Sequence, residues 1–174
     1  MKKGFTLIEL LVVIAVIAVI VGFAMPNFLG ARERARDTKR KGELVQLKNA
    51  LRMYYNDYNK YPAWTNGLVI VGCGTAGTSN CPPSPACTSG AEFVAGGTDG
   101  CGNMYMRKLP VIGSAQQYRY YQVAGGDDFR LKINLDNASD ADITTSQARC
   151  PVVAATNPSG TLTFGSTDYV LCAD

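Results

Sequence analysis

The chain has no histidine among its 174 residues, which removes the commonest general base. It also has no Cys-x-x-Cys spacing, so both usual signs of a zinc site are missing. Charge is sparse: Asp, Glu, Lys and Arg make up 18% of the residues and leave a net charge of +3. No carboxylates stand as an acid pair for catalysis, so no catalytic constellation emerges and the chain is not expected to be an enzyme. From Tyr61 onward it holds six basic and nine acidic residues. That part lacks the basic surface of a nucleic-acid binder, and nucleic acid is not expected as the main partner.

Cysteine is absent before Cys73, and then six appear: Cys73, Cys81, Cys87, Cys101, Cys150 and Cys172. An even number behind a membrane-targeting N-terminus points to disulfides formed in an oxidising compartment. Six cysteines allow about 15 connectivities, and sequence alone does not choose among them.

The longest feature is the apolar run from Phe5 to Leu29, in which Thr6, Glu9 and Asn27 are the polar exceptions. As a helix at ~1.5 Å per residue it reaches roughly 37 Å, enough to cross a hydrocarbon core of ~30 Å. Lys2 and Lys3 precede it, as in a cleaved secretory signal, and Gly22-Phe23-Ala24 offers small residues for a peptidase. Against that reading, Glu9 sits inside the apolar core. The run also continues without a loop through Pro26 into a second helical pattern. Glu9 fits a Thr6-x-x-Glu9 capping box, with Phe5 and Leu10 placed as a hydrophobic staple. A carboxylate in a membrane still costs about 2.5–3.5 kcal/mol, and a cation at the same depth relieves it. A cut between Gly4 and Phe5 would create such a cation one turn away.

Lys3-Gly4-Phe5-Thr6-Leu7-Ile8-Glu9-Leu10 resembles the class III signal of type IV pilins and type II secretion pseudopilins. The resemblance implies cleavage after Gly4 by a prepilin peptidase and N-methylation of Phe5. Glu9 is then the glutamate that pairs with a neighbouring subunit's N-terminal amine during assembly. Pro26 matches the family's proline, near which the helix is expected to kink or unwind. The implied partners are copies of the chain, the peptidase, an inner-membrane assembly platform with minor pilins, and the lipid bilayer. The implied location is the inner membrane as a single-pass protein, then a periplasmic or extracellular filament.

Beyond the apolar run, residues 32–41 hold six basic and two acidic residues, suited either to lipid headgroups or to a solvated helix face. Leu44, Leu47, Leu51, Tyr54, Tyr55 and Tyr58 then recur at helical spacing and mark one buried face. Lys41, Gln46, Lys48, Asn49 and Arg52 are expected opposite it. The helix should end near Asn56–Lys60, ahead of Tyr61-Pro62. Between Ala63 and Asn103 only Leu68–Val71 reads as a strand, and four cysteines are available to staple the rest.

Gln117–Val123 and the alternating Phe129, Leu131, Ile133 and Leu135 predict a hairpin turned by residues 124–128 and packed on the helix face. Thr161–Phe164 and Asp168–Cys172 offer two further strands. The resemblance suggests a Cys150–Cys172 bridge closing them. Asp136, Asp140 and Asp142 lie within seven residues and pose a calcium question, which the pseudopilin resemblance reinforces. The loop lacks the glycine and distal glutamate of an EF-hand, and a plain solvated turn is the other reading. No other cofactor is expected.

The expected fold class is α+β: a long N-terminal helix, half transmembrane and half amphipathic, on a small antiparallel sheet. The expected divisions are a leader at 1–4, a transmembrane and assembly helix at 5–29, an amphipathic stalk at 30–60 and a disulfide-containing head at 61–174. The expected function is a structural subunit of a type IV pilus or pseudopilus, serving adhesion, motility, DNA uptake or secretion. The alternatives are a major pseudopilin of type II secretion specifically, or a membrane-anchored, disulfide-rich binding module.

Overall fold

The computed structural model describes residues 4–65, 69–81, 91–110, 118–123, 125–152 and 163–173. Leu68, Cys87, Gln117 and Thr161 lie outside them. The chain divides into two units, Met1–Arg36 and Asp37–Asp174. Helix α1, Leu7–Tyr58, is assigned without a break through Pro26. At its start Glu9 N–H donates to Thr6 Oγ1 at 3.4 Å while Thr6 N–H donates to Glu9 Oε2 at 2.8 Å, the reciprocal pair of a capping box. At its end Asn59 takes a left-handed φ of 52°, a conformation asparagine tolerates better than most residues. Tyr61 N–H then donates to Gly126 O at 2.7 Å, and Pro62 bars any return to helix.

The unit from Asp37 onward is α+β, with three small antiparallel sheets. β1 (Ala63–Thr65), β2 (Val69–Cys73) and β3 (Ser79–Asn80) form the first, in that spatial order. β4 (Phe93–Ala95) pairs with β5 (Asn103–Met106) in the second. A parallel bridge between Gly74 and Ala95 joins the two. The turn between β4 and β5 folds so tightly that a Cβ on Gly102 would lie 2.6 Å from the Gly97 nitrogen. Among the described residues, the region between Ala63 and Asn103 therefore holds four complete strands where composition suggested one. They are two to five residues long, too short for periodicity to register.

β6 (Arg119–Gln122), β7 (Phe129–Asn134) and β8 (Asp168–Cys172) form the third sheet, with β7 central. The β6–β7 register sets Tyr120 opposite Leu131 and Gln122 opposite Phe129, and Gly126 in the intervening turn takes φ 85°. Thr163 and Phe164 are not in a strand, the rest of the expected Thr161–Phe164 strand lies outside the described residues, and the expected Asp168–Cys172 strand forms as β8. A helix that the sequence reading missed, α2 (Ala141–Arg149), begins at the N-cap Asp140, whose side chain accepts from Asp142 N–H. α2 covers the free edge of β8: Val170 N–H donates to Ser146 Oγ at 3.1 Å, and Gln147 Nε2 donates to Asp168 O at 2.8 Å. Those edge groups would otherwise recruit another strand.

One core gathers the buried face of α1 with the sheets. Leu44, Leu47 and Leu51 are fully buried, together with Tyr120, Phe129 and Leu131. Tyr54 stacks on Tyr58 and Phe93, with centroids 4.4 and 5.5 Å apart. β7 departs from simple alternation at Arg130, which is also buried. Its guanidinium is paired with Asp128 and donates to Pro151 O at 3.2 Å. The sheet's second face thus carries a small cluster of its own, Cys150, Val170 and Cys172 with Phe164 against it.

Candidate functional site

Two groups of residues stand out chemically, one in each unit. In the first, Leu7–Met25 forms a 19-residue apolar helical stretch with none of it buried within the chain. Leu, Val, Ile and Ala fill Leu10–Val21 without interruption, so the stretch presents hydrocarbon on every side. Glu9 is its one charge. Thr6 N–H and Thr6 Oγ1 both donate to the same carboxylate oxygen, Oε2, at 2.8 and 2.7 Å. That arrangement seats the helix start. Gly4 and Phe5 precede the helix in exposed, non-helical backbone. Phe5 is 88% exposed.

The second group joins α1 to the residues around the start of α2. Asp37, Arg40 and Lys41 fall at i, i+3 and i+4 and share one face of α1. Asp37, 2% exposed, accepts from the backbone N–H of Asp136 and of Asn137 at 2.9 and 2.8 Å. Arg40 bridges Asp37 and Asp136 at 3.0 and 2.7 Å. Lys41 Nζ lies 2.6 Å from Asp140 and 2.7 Å from Asp142, and 5.4 Å from the centre of the Tyr169 ring. Burial pulls the Lys41 ammonium down, but the hydrogen bonds it donates to Asp140 and Asp142 prevail and hold it above its ordinary value. The bond from Lys41 in turn holds the Asp140 carboxyl below its ordinary range.

These contacts revise two expectations. Lys41 is not on a solvated face opposite the core, and neither it nor Arg40 is directed to lipid headgroups; both are engaged by carboxylates of the head. The sequence carried a partial signal for this. Asp140 directly before Ala-Asp-Ile is an N-cap pattern, but Lys41, the α1 partner of Asp140 and Asp142, lies 99 and 101 residues from them in sequence.

The calcium donors can be tested on the same geometry. Calcium takes about six to eight oxygen ligands around one point. Here Asp140 and Asp142 converge on one ammonium while Asp136 turns to a guanidinium. Among the described residues no three His, Cys, Asp or Glu side chains are grouped to hold a metal. Asp136, Asp140 and Asp142 as placed do not fit the ion.

Two disulfides are described, Cys73–Cys81 with Cα atoms 5.3 Å apart and Cys150–Cys172 at 5.7 Å. Cys101 is also disulfide-bonded. Cys150–Cys172 links the end of α2 to the end of β8.

An unburied apolar helix entered through a Gly-Phe-Thr-Leu-Ile-Glu sequence, continuing into a head of small antiparallel sheets, is consistent with the fold expected of type IV pilins and pseudopilins. Residues 1–25 of the chain match the family model of the prokaryotic N-terminal methylation motif. Among curated relatives, it is 40% identical over 67 residues to the type II secretion system core protein G of Aeromonas hydrophila, covering 38% of this chain and 47% of that one. The core protein G of Escherichia coli is 42% identical over 67 residues, covering 38% and 46% respectively. The type IV wide pilus major component PilA4 of Thermus thermophilus is 44% identical over 70 residues, covering 40% and 53%. The chain spans about half the length of the curated relatives it matches. No solved structure matches.

Proposed function

We propose that the chain is a structural subunit of a type IV pilus or pseudopilus. It is held in the inner membrane by Phe5–Leu29, cut after Gly4, methylated at the new Phe5 amine and polymerised through the same helix. Its partners in this reading are a prepilin peptidase, an assembly platform with minor pilins, the bilayer and further copies of itself. The observation that carries the proposal is the 19-residue apolar stretch left wholly unburied by its own chain. At ~25 cal/mol per Å² such a surface must be covered, first by lipid and then by identical helices. The relatives include both secretion and pilus proteins, so the reading stops at the filament class.

Glu9 has a part in both stages. In the single chain both bonds from Thr6 land on Oε2, so Oε1 remains to accept from the α-amino group that cleavage creates on a neighbour. A charge-assisted bond of that kind contributes about 1.5–3 kcal/mol. Glu9→Gln keeps the shape and the capping acceptor but removes the charge. The expected result is normal membrane insertion with incorporation into filaments down roughly tenfold to a hundredfold. Filament yield equal to that of the native chain would remove Glu9 from the mechanism.

A further inference from the structure

The loop at residues 136–142 carries three aspartates within seven residues of sequence, and two cations of α1 engage them. Arg40 takes Asp136 and Lys41 takes Asp140 and Asp142, with Lys41 the more telling because one ammonium holds two carboxylates at 2.6 and 2.7 Å. Those separations are at the short end for charge-assisted bonds. The Lys41 side chain is 18% exposed and Asp140 21%, whereas Asp142 is 65% exposed, so water screens the Asp140 contact less than the Asp142 one. Lys41 Nζ also lies over the Tyr169 ring, 5.4 Å from the ring centre.

We propose that Lys41 is the resident cation of this loop, standing where a divalent metal would have to stand, so that the head closes without calcium. A calcium ion entering between Asp140 and Asp142 would meet the ammonium as a like charge and would have to displace it. Because Lys41 is fixed on α1 only four residues from Asp37, the same turn of helix holds the loop's backbone and its charge. The closure does not depend on the concentration of any ion, as a bound metal's would.

The test is thermal unfolding of the full chain in detergent micelles, followed by circular dichroism in EDTA or in millimolar calcium chloride. The native chain is expected to melt within about 1 °C of the same temperature in both. Lys41→Met is expected to melt at least about 4 °C lower in EDTA, and Lys41→Arg to recover more than half of that loss. A native chain that melts several degrees higher in calcium would overturn the proposal by making the metal the natural cation. So would a methionine variant as stable as the native chain, or an arginine variant no better than methionine. If Lys41→Met does not fold, the native chain's response to calcium still decides the matter.

Discussion

Tyr54 sits in an environment that gives its ionisation a definite direction. Its ring is buried among Tyr58, Phe93 and Tyr105, and its hydroxyl donates to Gly77 O at 3.1 Å. Burial, with Tyr58 contributing, pushes its pKa up to about 12, and burial alone does the same for Tyr118. The unfolded chain releases those protons near pH 10 while the folded chain retains them. Stability is therefore full below about pH 10 and falls as pH rises from about 10 to 12. Tyrosinate absorbance should show Tyr54 and Tyr118 ionising late, in step with unfolding; a single transition near pH 10 with the fold intact would contradict their burial. Glu9 and Lys41 contrast at the same scale. Glu9 was legible in the sequence as the one charge in an apolar run. Lys41 was not, because a lysine's partners cannot be read when a hundred residues separate them.

At the scale of elements, the long helix and the β6–β7 hairpin were legible because each repeats its pattern over several turns or pleats. α2 was not, since nine residues with only Ile143 and Ser146 buried make too weak a stripe, and its leading aspartates invited a metal reading instead. The short strands β1, β3, β4 and β5 escaped for the same reason of length. The β7 alternation also concealed Arg130, buried because α2, β8 and the Cys150–Cys172 bridge build a second cluster on that face. The bridge spans 22 residues of sequence, and closing a loop of that size stabilises a fold by about 2–4 kcal/mol. Replacing both cysteines with serine should lower the unfolding free energy by that amount, read as a lower denaturant midpoint, without changing the fold of β6 and β7. An unchanged midpoint would mean that α2 is held on β8 by Ser146 and Gln147 alone.

At the scale of the whole molecule, the two units have different requirements. The unit from Asp37 onward buries its own core, pairs the cations of Arg40 and Lys41 internally and closes its β8 edge with α2. Residues up to Arg36 include a helix that leaves its apolar surface entirely uncovered. A molecule that completes one unit and leaves the other open is suited to assembly through the open one, as in the function proposed above. In the proposed function the apolar helix is kept and its start remade, not removed as a secretory signal would be. Intact mass of the protein purified from membranes of a host carrying a prepilin peptidase tests this most directly. The account predicts loss of Met1–Gly4 alone and one added methyl group on the amine of Phe5. A chain cut after Ala24 would contradict it.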